Sequence, residues 1–358
     1  MKRLDFGRSA LASCVAAAML AGCGGKQPPI GAPGAMPQTS AVAHAGRDTS
    51  WTSGAPVATV QASVPKLAGS SEYVEYSGLR TLPDTKSQRL LYVSNDGSPF
   101  VVYVLSYPSG KKVGTLDGFF GPGGECTEAS GDVFITDTAE GGAGYIYEYA
   151  HGGTSPIVTL DDPFTWPNGC AVDPTAGNLA VISVGGAAVF PNASGTPAAY
   201  TDSTLSEMTY GAYDNKGNLF VDGTASSSGR FAFAELPRGA STFTNISVSD
   251  SFENAGSVQW DGSYITVQTT GNSGRVVLIY RLAVSGSSAT VVGTTTLTSN
   301  RNRFEGGQFW IQGSSVIGPA NRGKSVAIWR YPQGGHSKKM IRGAGNSARG
   351  VTVSVAGS

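Results

Sequence analysis

The chain has 358 residues, with 25 basic and 25 acidic side chains and a formal net charge of zero. That balance offers no basic surface for nucleic acid or for an anionic membrane face. Charged residues are only 14% of the chain and glycines number 50, about twice the usual share, as short strands and tight turns would use them.

Lys2, Arg3 and Arg8 flank an apolar run from Ala10 to Leu20, which is too short to span a bilayer as a finished helix. The run ends in Leu20-Ala21-Gly22-Cys23, which resembles the bacterial lipobox. The resemblance implies cleavage before Cys23 and lipid on its thiol, so residues 1–22 are expected to be a lipoprotein signal peptide. Gly24, not Asp, follows the cysteine. By resemblance to other lipoproteins of diderm bacteria, this implies a cell-envelope address at the outer membrane. Residues 23–70 are rich in Gly, Pro, Ala, Ser and Thr and bury too little surface to offset ordering entropy, so they read as a flexible tether. The folded body is expected over residues 71–358, with its repeats from about residue 87.

Within that body one unit recurs. Gly169-Cys170-Ala171-Val172-Asp173-Pro174-Thr175-Ala176-Gly177-Asn178-Leu179-Ala180-Val181-Ile182 reads as a short strand, a tight turn and a second strand. Related units start near residues 125, 211, 257 and 307, giving spacings of 45, 41, 46 and 50. Each is followed by a second module of apolar strand, Pro/Gly turn and apolar strand. These modules start at Val101, Tyr145, Ala187, Arg230, Val276 and Ser325. The second modules number six and the complete first hairpins five. The ends supply the difference, because Leu90–Asn95 lacks a preceding strand and Gly350–Val355 lacks a following one. A period near 45 with four short strands per unit predicts an all-β chain folded as a six-bladed β-propeller, closed by its C-terminal strand.

The repeats GNLAVIS, GNLFVDG, GDVFITD and LLYVSND resemble those of the NHL and YVTN propeller families. The resemblance implies the fold and leaves function open, because such propellers serve as enzymes, scaffolds and binding modules. Propellers related to gluconolactonase hold a divalent metal on the axis with Glu, Asn and Asp. The corresponding candidates here are Glu125, Asn168, Glu207, Asn254, Glu305 and Asn346, an oxygen set suited to Ca²⁺. They do not share one aligned position, and no metal site or other cofactor is assigned from them. The three histidines, His44, His151 and His336, fall in the tether and in outer turns, so none is placed for acid–base work on the axis. Asp173, Asp214, Asp261 and Glu128 recur at the end of the first strand of the unit and read as turn caps.

The loops leading into the first hairpins carry bulky side chains: Phe119, Phe120, Phe164, Trp166, Met208, Tyr210, Phe252 and Phe304. On one face of a propeller they would suit a sugar ring, a flat apolar molecule or a peptide, or else plug gaps between blades. The expected ligand-binding set is Phe164, Trp166, Tyr210, Phe304 and Glu125, with no catalytic residue assigned. Cys126 and Cys170 lie one residue out of step in aligned repeats. Strand alternation would then aim them at opposite faces, and their disulfide stays an open alternative. The functional expectation is a monomeric, lipid-anchored module binding a protein, peptide or glycan. The alternative is a metal-dependent hydrolase of the lactonase-like propeller type.

Overall fold

The computed structural model describes residues 88–270, 276–298 and 307–357. The signal peptide, Cys23, the tether, Phe304 and Glu305 lie outside the described residues. Those residues are almost wholly strand and turn, with two short 3-10 turns at Glu140–Gly142 and Pro191–Ala193.

The expected hairpins form antiparallel four-stranded meanders. The second sheet runs Pro122–Thr127, Val133–Thr138, Ala143–Tyr149 and Val158–Thr165. The third runs Pro167–Val172, Leu179–Ser183, Gly186–Phe190 and Ala198–Tyr200, and the fourth Leu205–Tyr213, Leu219–Ala225, Phe231–Leu236 and Thr244–Asn245. Two further meanders, Val258–Trp260 to Ser288–Thr298 and Trp310–Gln312 to Gly334–Arg342, are joined by a short parallel pairing of their outer strands. The first sheet is assembled from both ends of the folded body. Leu90–Asn95, Val101–Ser106 and Lys112–Leu116 are completed by Ala348–Ser354, which pairs antiparallel with Leu90–Asn95. Asp173, Asp214 and Asp261 accept backbone N–H bonds from Thr175, Lys216 and Ser263 at 2.8, 2.8 and 2.9 Å and cap their hairpin turns, whereas the longer Glu128 accepts from the Ser130 hydroxyl at 2.6 Å instead of a backbone N–H.

The strands read as continuous apolar runs because each sheet is buried on both faces. Val133 and Ile135 pack on Leu90 and Tyr92 of the first sheet, while Phe134 between them packs on Leu179 and Val181 of the third. Ala180 and Ile182 then meet Leu219 and Val221, and Phe220 meets Val258 and Val267. Ile279 meets Val316 and Ala327. Ile317 and Val326 finally meet Leu91, Val93, Val351 and Val353 of the first sheet. The succession of cores therefore returns to its start.

This stacking explains the cysteines. Cys126 and Cys170 are joined by a disulfide, with Cα atoms 5.6 Å apart, and both are buried in the core between the second and third sheets. Neighbouring sheets pack front to back. Side chains that meet between them therefore leave equivalent strands from opposite faces, which demands an odd offset in aligned repeats. The one-residue offset is the condition for pairing.

The first strands of neighbouring units approach too closely for side chains. A Cβ on Gly124 would lie 2.6 Å from the Asn168 carbonyl and 2.7 Å from the Gly169 Cα. On Gly350 it would lie 2.6 Å from the Gly123 carbonyl. The nearest atoms at both positions are backbone, which cannot move aside as a side chain could, so glycine is required there by space.

Candidate functional site

Three of these strand starts bound a cleft of about 440 Å³, within the size range of roughly 300–1,000 Å³ usual for small-ligand sites. The first sheet contributes Asp96, just after Leu90–Asn95, and Arg349 from the C-terminal strand. The second contributes Phe120 and the turn at Glu140–Gly142, and the third Trp166 and Asn168. Register shifts between Val93 and Asn95, Pro122 and Glu125, and Pro167 and Gly169 bend each strand beside the cleft. Bulges at such positions re-aim side chains.

Trp166 is the single residue between the last strand of the second sheet and the first of the third. Its φ is 58°, an outlier for a bulky side chain and a form of strain that clusters at ligand sites. Its N–H donates to the Gly142 carbonyl at 3.0 Å. Its indole lies on Gly142, where an added Cβ would sit 2.8 Å from Nε1, and Gly142 itself has φ 87°. A side chain at that position would displace the indole, so glycine keeps the platform in place. The ring is 55% exposed.

Phe120 is held in a different way. The Asp137 carboxylate accepts N–H bonds from Phe120 at 3.1 Å and Gly121 at 2.7 Å. Burial raises the Asp137 carboxyl, while those two bonds pull it back down. The Phe120 ring is 55% exposed and parallel to that of Phe100 within 7°, with centroids 6.3 Å apart. Asp96 is exposed at the rim of the cleft; partial desolvation raises its carboxyl and the Arg349 charge lowers it. Among the described residues the side chains of Asp96, Glu140 and Arg349 make no hydrogen bond or ion pair.

The other expected binding residues do not join Trp166. Tyr210 is buried, its ring filling the space that Gly169 leaves free. Phe164 is half-buried against Gly185 and Gly186 and the core between the second and third sheets. Phe119, Met208 and Phe252 are core residues as well. Phe304 lies outside the described residues. Tyr210 and Phe164 pack against glycines of the third sheet, whereas Phe119 and Phe252 pack against other aromatic rings. Asp96, Phe100, Asp137 and Arg349 went unremarked in the sequence. The repeated glycine at each strand start was the signal that marks the strand ends bounding the cleft.

Nor are the oxygen candidates brought together. Asn168 lines the cleft, but its Nδ2 donates to the Met208 carbonyl at 3.3 Å. Glu207 is exposed, Asn254 accepts from Thr269, and Asn346 donates to the Ser98 carbonyl. A separate acidic trio, Glu128, Asp132 and Glu148, lies in the second sheet. His151 contacts Ser354 and His336 contacts Thr298, so neither faces the cleft.

Glu125 is fully buried, and both its carboxylate oxygens lack a hydrogen-bond partner. Burial holds its carboxyl well above the usual range. The backbone groups of Thr352 and Ser94 lower it slightly without making well-formed hydrogen bonds. Its folded pKa therefore exceeds the unfolded value of about 4.3. In the window between the two, the folded state binds more protons, so its contribution to stability falls as pH rises. Glu125→Met removes the orphaned group and is expected to stabilise the protein at neutral pH by about 1–3 kcal/mol. The advantage over the parent should shrink as pH falls towards about 4. Guanidinium unfolding of both proteins at acid and neutral pH checks this, and an advantage that grows on acidification would refute it.

Among solved structures the fold is similar to a propeller chain from the crystal structure of a nidogen/laminin complex. Identity is 12% and the TM-score 0.57, over 75% of this chain and 99% of that one. Weaker likenesses are to the Cps50 (Swd1) β-propeller domain from Myceliophteria thermophila and to a protein from Desulfotomaculum acetoxidans. The former has 11% identity and a TM-score of 0.49 over 71% of this chain and 83% of that one. The latter has 12% identity and a TM-score of 0.49 over 74% and 99%. No family profile and no curated protein matches the chain. The sheets and the first likeness show a β-propeller.

Proposed function

We propose that this protein is a lipid-anchored six-bladed β-propeller of a bacterial cell envelope. It acts as a ligand- or protein-binding module through the cleft bounded by Phe100, Phe120 and Trp166. The observation that carries the reading is Trp166, an exposed residue whose indole is packed against Gly142 by a left-handed backbone and lines a cleft with unbonded charged groups. Exposed aromatic anchors with little rotamer entropy to lose are the usual hot spots of binding surfaces. The fold-level support is a propeller chain found within a complex of two other proteins, nidogen and laminin. The six cyclically ordered cores support six blades.

Trp166→Ala is expected to weaken partner binding by at least about 1 kcal/mol while leaving stability nearly unchanged. Thermal unfolding read beside capture of partners from envelope extracts makes the test. A stability loss of about 3–5 kcal/mol with the same partners recovered would mark the ring as packing. The anchor rests on the Leu20–Cys23 motif. Cys23→Ser is expected to move the protein to the soluble fraction, and palmitate labelling that persists in this variant would refute the anchor.

A further inference from the structure

We infer that the cleft binds a neutral saccharide, with a sugar ring lying on Trp166. This deepens the binding-module reading and rests on it. The rings offer exposed, nearly fixed apolar faces: Phe100 is 40% exposed, and Phe120 and Trp166 are each 55%. The face of an aromatic ring carries negative charge density and attracts the weakly positive C–H face of a sugar.

The polar groups discriminate among ligand charges. Asp96 and Glu140 offer only acceptor oxygens when ionised, and Arg349 offers only donors. Asn168 adds an amide. Two carboxylates against one guanidinium give the cleft groups of both signs, so a charged ligand of either sign meets an opposing charge as well as a complementary one. A hydroxyl both donates and accepts, so a ring rimmed with hydroxyls engages both kinds of group without an opposing charge. The groups are also available, because the side chains of Asp96, Glu140 and Arg349 make no hydrogen bond among the described residues, although the Arg349 charge is felt by Asp96. A cleft of about 440 Å³ suits a compact ligand better than the flat face of a folded partner.

The test uses the full chain and a panel of neutral oligosaccharides, namely tetra-N-acetylchitotetraose, maltotetraose, cellotetraose and mannotetraose. Saturation-transfer NMR at about 10 mM sugar half-saturates a site with a Kd as weak as about 10 mM. At least one sugar is expected to receive saturation on one ring face. Trp166→Ala and Arg349→Met should each lower affinity at least about tenfold with unfolding unchanged. Binding that survives Trp166→Ala overturns the placement in this cleft. Absence of binding by every sugar, with Trp166-dependent capture of a protein partner, overturns the saccharide and leaves the binding module. Absence of both overturns the two readings together.

Discussion

Deleting residues 348–358 is expected to abolish cooperative unfolding of the whole folded body. The strand Ala348–Ser354 forms the inner edge of the first sheet, paired with Leu90–Asn95 in the register Leu91 to Val353 and Val93 to Val351. Val351 and Val353 are buried in the core shared with Ile317 and Val326, at the point where the succession of sheets returns to its start. Burying each valine is worth about 1.5–3 kcal/mol, and each ladder hydrogen bond adds about 0.5–1.5 kcal/mol. The sum approaches the total stability of about 5–15 kcal/mol typical of a domain. Truncation would also bare the edge of Leu90–Asn95 and invite aggregation. Circular dichroism against temperature checks this, and a midpoint within about 5 °C of the full chain would count against closure. A synthetic peptide of residues 348–358 added in trans should restore part of the transition.

The second large effect concerns Asp222. It is fully buried, and its two oxygens accept N–H bonds from Tyr210 at 3.0 Å and Gly256 at 2.8 Å. It thus ties the first strand of the fourth sheet to the chain approaching the fifth. Burial raises its carboxyl well above the usual range, and the Gly256 and Tyr210 bonds oppose that rise. Asp222→Ala leaves two buried N–H groups unpaired, at about 1–3 kcal/mol each, so a loss of about 2–6 kcal/mol is expected. Asp222→Asn keeps one acceptor oxygen and should lose about half as much. The shift in denaturation midpoint measures both, and equal losses for the two variants would refute the bonding argument. Asp222 and Glu125 make a contrast: removing the partnered carboxyl destabilises, and removing the unpartnered one stabilises.

How much of this was written along the chain differs between the fold and the site. The strands, the turns capped by Asp173, Asp214 and Asp261, and the complementary ends at Leu90–Asn95 and Ala348–Ser354 follow from local signals. Alternation of apolar residues, turn chemistry and a fixed period are properties of contiguous residues. They survive without knowledge of what packs where.

The site depended on contacts between units that no local pattern encodes. The sequence places both Trp166 and Tyr210 in loops, yet Tyr210 lies within the strand Leu205–Tyr213 and fills the hollow beside Gly169, while Trp166 lies between strands and is laid outward over Gly142. The sequence by itself determined that the chain is a ring-forming repeat of short antiparallel strands, because those choices are made within each unit. Only the tertiary structure decided which rings stay exposed and that Glu125 is sealed without a partner. It also turned the one-residue offset of Cys126 and Cys170 into a bond. In each case the physical reason is the same: the outcome is set by the size and facing of residues distant in the chain, brought near by the packing of strands and sheets.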